Sequence, residues 1–434
     1  MKVLLVNKFH YRKGGSETYY FGVAEALRQL GHEVFFFAME DVKNYPCDQA
    51  RYFVSHSDYS GKTSAIQKLK DGASLIYSLE AKRKFEALLE DVRPDVIHLN
   101  LVHRQLTFSI LDAPYLKTHR VPVVFTSHDY IMVCPCYTMV NGEGENCDEC
   151  LKGSFEPCVR HRCVKDSKAK SLLAKAEADF LRWHKSYEKI DRIIAPSKFM
   201  RDKLVQGGIP ASKVVYLQNF LTDGQVAAGE RALVLGFGGD ASPYLLFFGR
   251  LSKEKGVLTL VRAFARALPA MPAGWRLLLA GEGPQRGEIE ALLASLGEGA
   301  RGRVELLGYR SGDELQRLVG GARFTVMPSE WYENMPYSGM ESLAAGTPIV
   351  GSDMGGIPEL IVEGETGWLF PVGDERALAD ALRRAAATSA GDYACMQASC
   401  CSYAKVRCNQ GLYITRLVDM YEKLIENRNS QCRF

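Results

Sequence analysis

The sequence contains no apolar run approaching the roughly 20 residues that a membrane-crossing helix needs. Its first residues, Met1-Lys-Val-Leu-Leu-Val-Asn7, turn polar too soon for a secretory signal and read as a buried first strand, so a cytoplasmic protein is expected. No Asp-x-Asp triplet occurs anywhere. That triplet is the usual way to hold a metal on a nucleotide diphosphate, so that device is excluded. The glycines after the first strand lack the G-x-G-x-x-G spacing of a dinucleotide site, and they form no Walker loop. No low-complexity tract, short repeat or nucleic-acid-binding module is present, which leaves nucleic acid without a motif to recognise it.

What is present is an ordinary globular composition over 434 residues, enough for two domains with full cores. Net charge is only +3, but it is uneven: residues 1–219 carry 32 Lys/Arg against 26 Asp/Glu, and residues 151–200 carry twelve against six. Basic residues interleaved with Leu, Phe and Trp mark either a solvated helix face or a peripheral contact with an anionic membrane surface.

Short apolar strands alternate with amphipathic stretches, which predicts parallel sheets with helices on both faces. Strands are expected at Val3–Val6, Glu33–Ala38, Val96–Leu99, Val121–Ser127, Ile193–Ala195 and Val214–Leu217. A second series covers Leu245–Phe248, Arg276–Ala280, Val304–Leu306, Phe324–Met327 and Ile349–Gly351. Helices are expected at Thr18–Leu30, Leu258–Leu268 and Glu288–Leu296. The stretch Asn219–Pro243, rich in Gly, Ala and polar residues, reads as a linker. Two doubly wound domains facing across a cleft follow, at 1–219 and 220–401, with a final helix near 402–427 returning to the first.

Chemistry concentrates in the run Met327–Gly346, where Glu333 lies just outside a helix start near Pro336 and Glu341 about a turn and a half inside it. Each can accept from a pair of neighbouring hydroxyls, while amides at the helix start suit phosphate. Arg250 and Lys255 flank a turn after a strand, two cations suited to a diphosphate. Gly14 and Gly15 open a helix after the first strand, read equally well as a plain turn or as a loop that lets amides approach a phosphate.

These segments resemble glycosyltransferase family 4, a retaining family of GT-B fold. The resemblance rests on Gly14-Gly15, Asp95–Asn100, Thr126–Asp129, Ala195–Met200, Phe248–Gly256, Ala280–Pro284, Leu307-Gly308, the Glu333/Glu341 run, Gly355–Glu359 and Gly367–Phe370. It implies that Arg250 and Lys255 grip the donor diphosphate and that Glu341 accepts from the ribose. Glu333 would accept from the transferred sugar, near the amides of Asn334 and Met335. Leu307, Gly308, Tyr309 and Arg310 would lie beside the base, His128 near the reacting carbon, and Gly14 and Gly15 beside the phosphates. Catalytic roles then fall to His128, Arg250, Lys255 and Glu333, with no metal or other cofactor required. One departure is Glu333-Asn-Met-Pro336, where many members carry Glu-Gly-Phe-Gly; proline removes an amide donor.

Six of twelve cysteines fall between Cys134 and Cys163. The spacing Cys147-x2-Cys150 and Cys158-x4-Cys163 suits a structural zinc; reduced thiols in a compact insertion, a disulfide and an iron–sulfur cluster are the alternatives. A similar insertion occurs in some members of the family it resembles.

The expected activity is transfer of a sugar from a nucleotide-diphospho-sugar, with UDP or GDP as carrier, to a glycan or lipid-linked acceptor at the cytoplasmic face of a membrane. A sugar-nucleotide epimerase or phosphorylase on the same fold and a non-catalytic sugar-nucleotide-binding protein are the competing readings.

Overall fold

The computed structural model describes residues 1–55, 72–236 and 242–431. The chain divides into two compact units, Met1–Leu217 with Gly411–Phe434, and Gln218–Gln410.

Unit 1 is built on a parallel sheet of β1 (Lys2–Val6), β2 (Glu33–Phe37), β3 (Val96–Leu99), β4 (Val123–Thr126), β5 (Arg192–Ala195) and β6 (Val214–Tyr216). The order is β2-β1-β3-β4-β5-β6, with Val3 beside both Val34 and Val96. Val3–Val6 are apolar on both faces because helices cover both sides of a parallel sheet. The helix Gly15–Gln29 makes the first crossover, burying Tyr19, Tyr20, Val23 and Leu27.

Unit 2 carries a second parallel sheet of β7 (Tyr244–Phe248), β8 (Arg276–Ala280), β9 (Val304–Gly308), β10 (Phe324–Met327), β11 (Ile349–Ser352) and β12 (Gly367–Phe370). The order is β12-β11-β10-β7-β8-β9. Val257, Leu260, Val261 and Phe264 recur at helical spacing on the helix Val257–Ala267 and enter one core with Leu245, Leu277 and Phe324. Strand order reverses between β1 and β3 in unit 1 and between β7 and β10 in unit 2. Doubly wound sheets bind ligands beyond the carboxyl ends of strands at such points.

Three expectations need correction. The presumed linker contains a 14-residue helix, Asp223–Gly236. The single final helix is two, Ala390–Arg407 and Gln410–Gln431. The break is pinned by unit 2 itself: the Leu221 amide donates to the Cys408 carbonyl at 2.9 Å, and Leu221 bridges Asn409. Finally, Gly367–Phe370, noted only as a motif, is a sheet strand.

Candidate active site

In unit 2 the loops after β7 and β10, the two strands at the reversal, are joined. Lys255 donates to Oε1 of Glu333, and the same oxygen accepts from Ser329 Oγ at 2.8 Å. The Glu330 amide donates to the Glu254 carbonyl at 2.9 Å, tying one loop to the other along the backbone. Gly256 permits this approach. It sits at φ +65, and a Cβ there would lie 2.0 Å from the Pro328 carbonyl oxygen. From the other side, the Gly356 amide donates to the Glu333 carbonyl at 2.8 Å. Glu333 is thus buried but held by several donors. Burial opposes its ionisation, yet the Lys255 ammonium with Ser329 outweighs burial and holds the carboxyl below its usual range.

Glu341 is the fifth residue of the helix Tyr337–Ala344, whose N-cap is Pro336 and whose first turn has no side-chain cap. Its Oε1 accepts from Gln225 Nε2 at 3.0 Å. Burial raises its pKa, and Gln225 works against that rise. Met335 packs into an apolar cluster with Met340 and Leu343, so its side chain is buried away from the loop surface.

The remaining expected donor residues lie on neighbouring strand ends. Arg250 is exposed, and its flanking backbone is fastened by the Gly249 amide to the Ala280 carbonyl and the Leu251 amide to the Glu282 carbonyl, both 3.0 Å. The Gly281 amide reaches the Gly308 carbonyl at 2.8 Å, so the segment Leu307–Arg310 borders this loop set. Tyr309 is exposed, and Arg310 is paired with Glu314 at 2.8 Å.

In unit 1, Gly14 is the uncapped N-cap of the helix Gly15–Gln29, and both glycines are exposed. Gly14 is extended, and a Cβ on it would meet nothing closer than 3.8 Å, so sterics alone do not demand glycine there. His128 follows β4, and its Nε2 lies 2.9 Å from Asn100 Oδ1 at the end of β3. Burial lowers the His128 pKa to about 3, so the ring is neutral near pH 7. Tyr19 meets the ring at 69° with centroids 5.0 Å apart. Behind it a buried network runs from Tyr413 Oη to Tyr19 Oη (2.6 Å), Thr126 Oγ1 (3.0 Å), His98 Nε2 (2.7 Å) and, from His98 Nδ1, Tyr421 Oη (2.5 Å).

The cysteine insertion forms a small cavity lined by Cys134, Cys136, Cys147, Cys150, Cys158 and Cys163. The four sulfurs expected to hold zinc therefore converge, joined by two more, and all are free thiols. Among the described residues, however, no three His, Cys, Asp or Glu side chains are arranged to hold a metal ion. The sulfurs of Cys134 and Cys136, which stand outside the expected zinc set, lie 3.3 Å apart.

Sequence reasoning missed Gln225, hidden in the presumed linker, and Ser329, one of many serines. It quoted Asn100 within a motif without giving it a task. Nothing in the local sequence marks Tyr413 and Tyr421, which reach the β3 and β4 ends from over 280 residues away.

Residues 13–223 match the sequence model described as Glycosyltransferase Family 4, and residues 242–388 that described as Glycosyl transferases group 1. An uncharacterized glycosyltransferase of Methanocaldococcus jannaschii is 38% identical over 133 residues, 30% of this chain and 33% of the relative. The amylovoran biosynthesis glycosyltransferase AmsK of Erwinia amylovora is 30% identical over 187 residues, 42% of this chain and 44% of the relative. The chain thus aligns with less than half the length of these relatives. Anabaena HepE, solved in complex with UDP-glucose, matches 98% of this chain and 100% of its own with a TM-score of 0.63 at 17% identity. With the two six-stranded parallel sheets, that likeness identifies the architecture as the two-domain α/β GT-B fold.

Proposed function

We propose that this GT-B chain is a retaining glycosyltransferase that moves a sugar from a nucleotide-diphospho-sugar to a glycan or lipid-linked acceptor, in the synthesis of a cell-surface polysaccharide or glycoconjugate. The observation that carries the reading is the coupling of Lys255 to Glu333 at the strand reversal of unit 2. It puts a cation for a diphosphate and a carboxylate for sugar hydroxyls in one built contact.

In this reading Arg250 and Lys255 offset the charge that grows on the departing diphosphate. Glu333 orients the sugar through its hydroxyls, and Glu341 receives the ribose. Unit 1 supplies His128 and the Gly14-Gly15 loop. The donor's own phosphate oxygen takes the acceptor's proton on the face where the old bond breaks, so neither a strong protein base nor a metal is needed. Uridine diphosphate is the first carrier to test, because HepE was solved with UDP-glucose. AmsK, named for amylovoran biosynthesis, supports a polysaccharide role. No helix among the described residues is long and apolar enough to cross a membrane. The basic excess of residues 151–200 makes peripheral contact with anionic lipid the proposed route to a lipid-linked acceptor, a contact that salt-sensitive vesicle binding tests.

The test is donor turnover across uridine, guanosine and adenosine diphospho-sugars, with and without acceptor sugars. Nucleotide release that depends on acceptor and is lost in Glu333→Gln supports the reading. Tight binding without turnover under any acceptor would instead make the protein a sugar-nucleotide-binding module, and acceptor-independent interconversion of the donor would make it an epimerase.

A further inference from the structure

We propose that Asn100 is a positioning residue that fixes His128 as its Nε2–H tautomer, leaving Nδ1 as the acceptor that the ring presents to the donor. This deepens the reading of His128 as a donor-facing residue and rests on it.

The orientation of the Asn100 amide is dictated by its other end. Nδ2 donates to the Val6 carbonyl at 3.4 Å, and the Asn100 backbone amide donates to the same oxygen at 2.8 Å. A carbonyl only accepts, so turning the side chain over would set oxygen against oxygen. Oδ1 must therefore face His128, where it stands 2.9 Å from Nε2. An amide oxygen has no proton to give, so the nitrogen opposite it must carry one. Asn100 is 1% exposed, and little water competes for that bond.

A neutral imidazole has one ring proton, and the hydrogen bond at one nitrogen decides the role of the other. Burial keeps His128 neutral well below pH 7. With the proton held on Nε2, Nδ1 has a lone pair and no hydrogen-bond partner among the described residues. The ring plane is constrained as well. Tyr19 meets it edge-on, and the Tyr19 hydroxyl is itself held by Thr126 and Tyr413. His128 is thus set to accept from a hydroxyl of the bound sugar, and not to donate to an oxygen of the leaving group.

The direct test is nitrogen NMR of the histidine-labelled full chain, with the His128 signals assigned by loss in His128→Gln. The expected spectrum shows the proton on Nε2 and an unprotonated Nδ1. Asn100→Leu, similar in size but without an acceptor, is expected to release the tautomer and lower kcat/KM for the donor by roughly tenfold or more. A wild-type ring protonated on Nδ1 would overturn the proposal, even if no Asn100 variant folds. So would a folded Asn100→Leu protein with unchanged tautomer and kinetics. Full turnover in His128→Ala would instead remove the donor-facing reading of His128, while the spectrum still decides what Asn100 does to the ring.

Discussion

Gln225 Nε2 donates to Glu341 Oε1 at 3.0 Å, joining a stretch that looks like a linker to the helix Tyr337–Ala344. The helix Asp223–Gly236 is thereby part of the candidate site. Gln225→Leu removes the side-chain hydrogen bond that opposes the burial-driven rise of the Glu341 pKa. A carboxyl whose folded pKa lies above its unfolded value loses stability as pH rises through that window. The variant is expected to lose about 1–3 kcal/mol, with a larger loss in melting temperature at pH 7 than at pH 4. It should also bind nucleoside diphosphate more weakly, as calorimetry would read.

Lys255 and Glu333 allow structure and catalysis to be separated. Lys255→Met leaves a buried carboxylate without its cation, which typically costs about 3–5 kcal/mol. The double variant Lys255→Met/Glu333→Gln is expected to recover much of that stability and none of the turnover. The pH dependence should change sign. In the wild type the lowered Glu333 pKa contributes stability above the ordinary carboxylate range, lost as pH falls through the folded pKa. In Lys255→Met the carboxyl is raised instead, and acid should stabilise the variant relative to neutral pH. Equal melting curves for the single and double variants at pH 7 would contradict this account.

Gly256→Ala tests the seam between the two loops. The substitution meets both a φ of +65 and a Cβ placed 2.0 Å from the Pro328 carbonyl oxygen. A loss of about 1–3 kcal/mol is expected, together with a rise in donor KM as Lys255 moves from Glu333. Gly373 is the control. It has a φ of +68 but nothing within 4 Å of an added Cβ, so Gly373→Ala should cost only the backbone strain and leave KM unchanged.

Unit 1 holds four histidines in neutral form, with His10, His98 and His103 buried and His128 half-buried. Burial lowers His98 and His128 to about 3 and His10 to about 4, and pushes His103 well below its ordinary value. Each titrates near 6.5 once unfolded. The stability this contributes is fully present above about pH 6.5 and is lost as pH falls from there towards the folded values. Unit 1 should therefore melt at progressively lower temperature between pH 6.5 and 4. His98→Gln is expected to flatten part of that slope. Tyrosine fluorescence of Tyr19 and Tyr413, measured against single Tyr→Phe variants, would follow the transition.

Much of the layout was legible because buried parallel strands are short and mostly apolar. Val96–Leu99, Arg276–Ala280 and Phe324–Met327 are strands over the spans their apolar runs predict. The linker reading failed for an identifiable reason: its glycines and alanines serve close helix packing. A Cβ on Gly229 would lie 2.7 Å from the Ala344 carbonyl oxygen, and one on Gly320 would lie 2.3 Å from that of Ala232. Composition alone cannot separate a close-packed helix from a flexible connection. At the site, the residue types at Lys255, Glu333 and Glu341 were readable from spacing, but their partnerships were not. Lys255 and Glu333 are 78 positions apart, and Glu341 and Gln225 are 116 apart. The cysteine spacing pointed to one convergence of sulfurs, yet could not say that Cys134 and Cys136 would join it.

The return of the helix Gln410–Gln431 to unit 1 makes that unit discontinuous, with all of unit 2 inserted before its closing element. The Tyr19–Tyr413 and His98–Tyr421 bonds span 394 and 323 positions. During synthesis, at about 5–20 residues per second, the first six strands wait on the order of ten seconds or more before Tyr413 exists. Over that interval Tyr19 and His98 have Thr126 but still lack Tyr413 and Tyr421, while unit 2 is being made and is complete in sequence only at Gln410. Birth order therefore completes unit 2 in sequence just before the closing helix of unit 1. It also makes a nascent or prematurely truncated chain expose the polar layer beneath β3 and β4, the part of the molecule where a holding chaperone has most to shield.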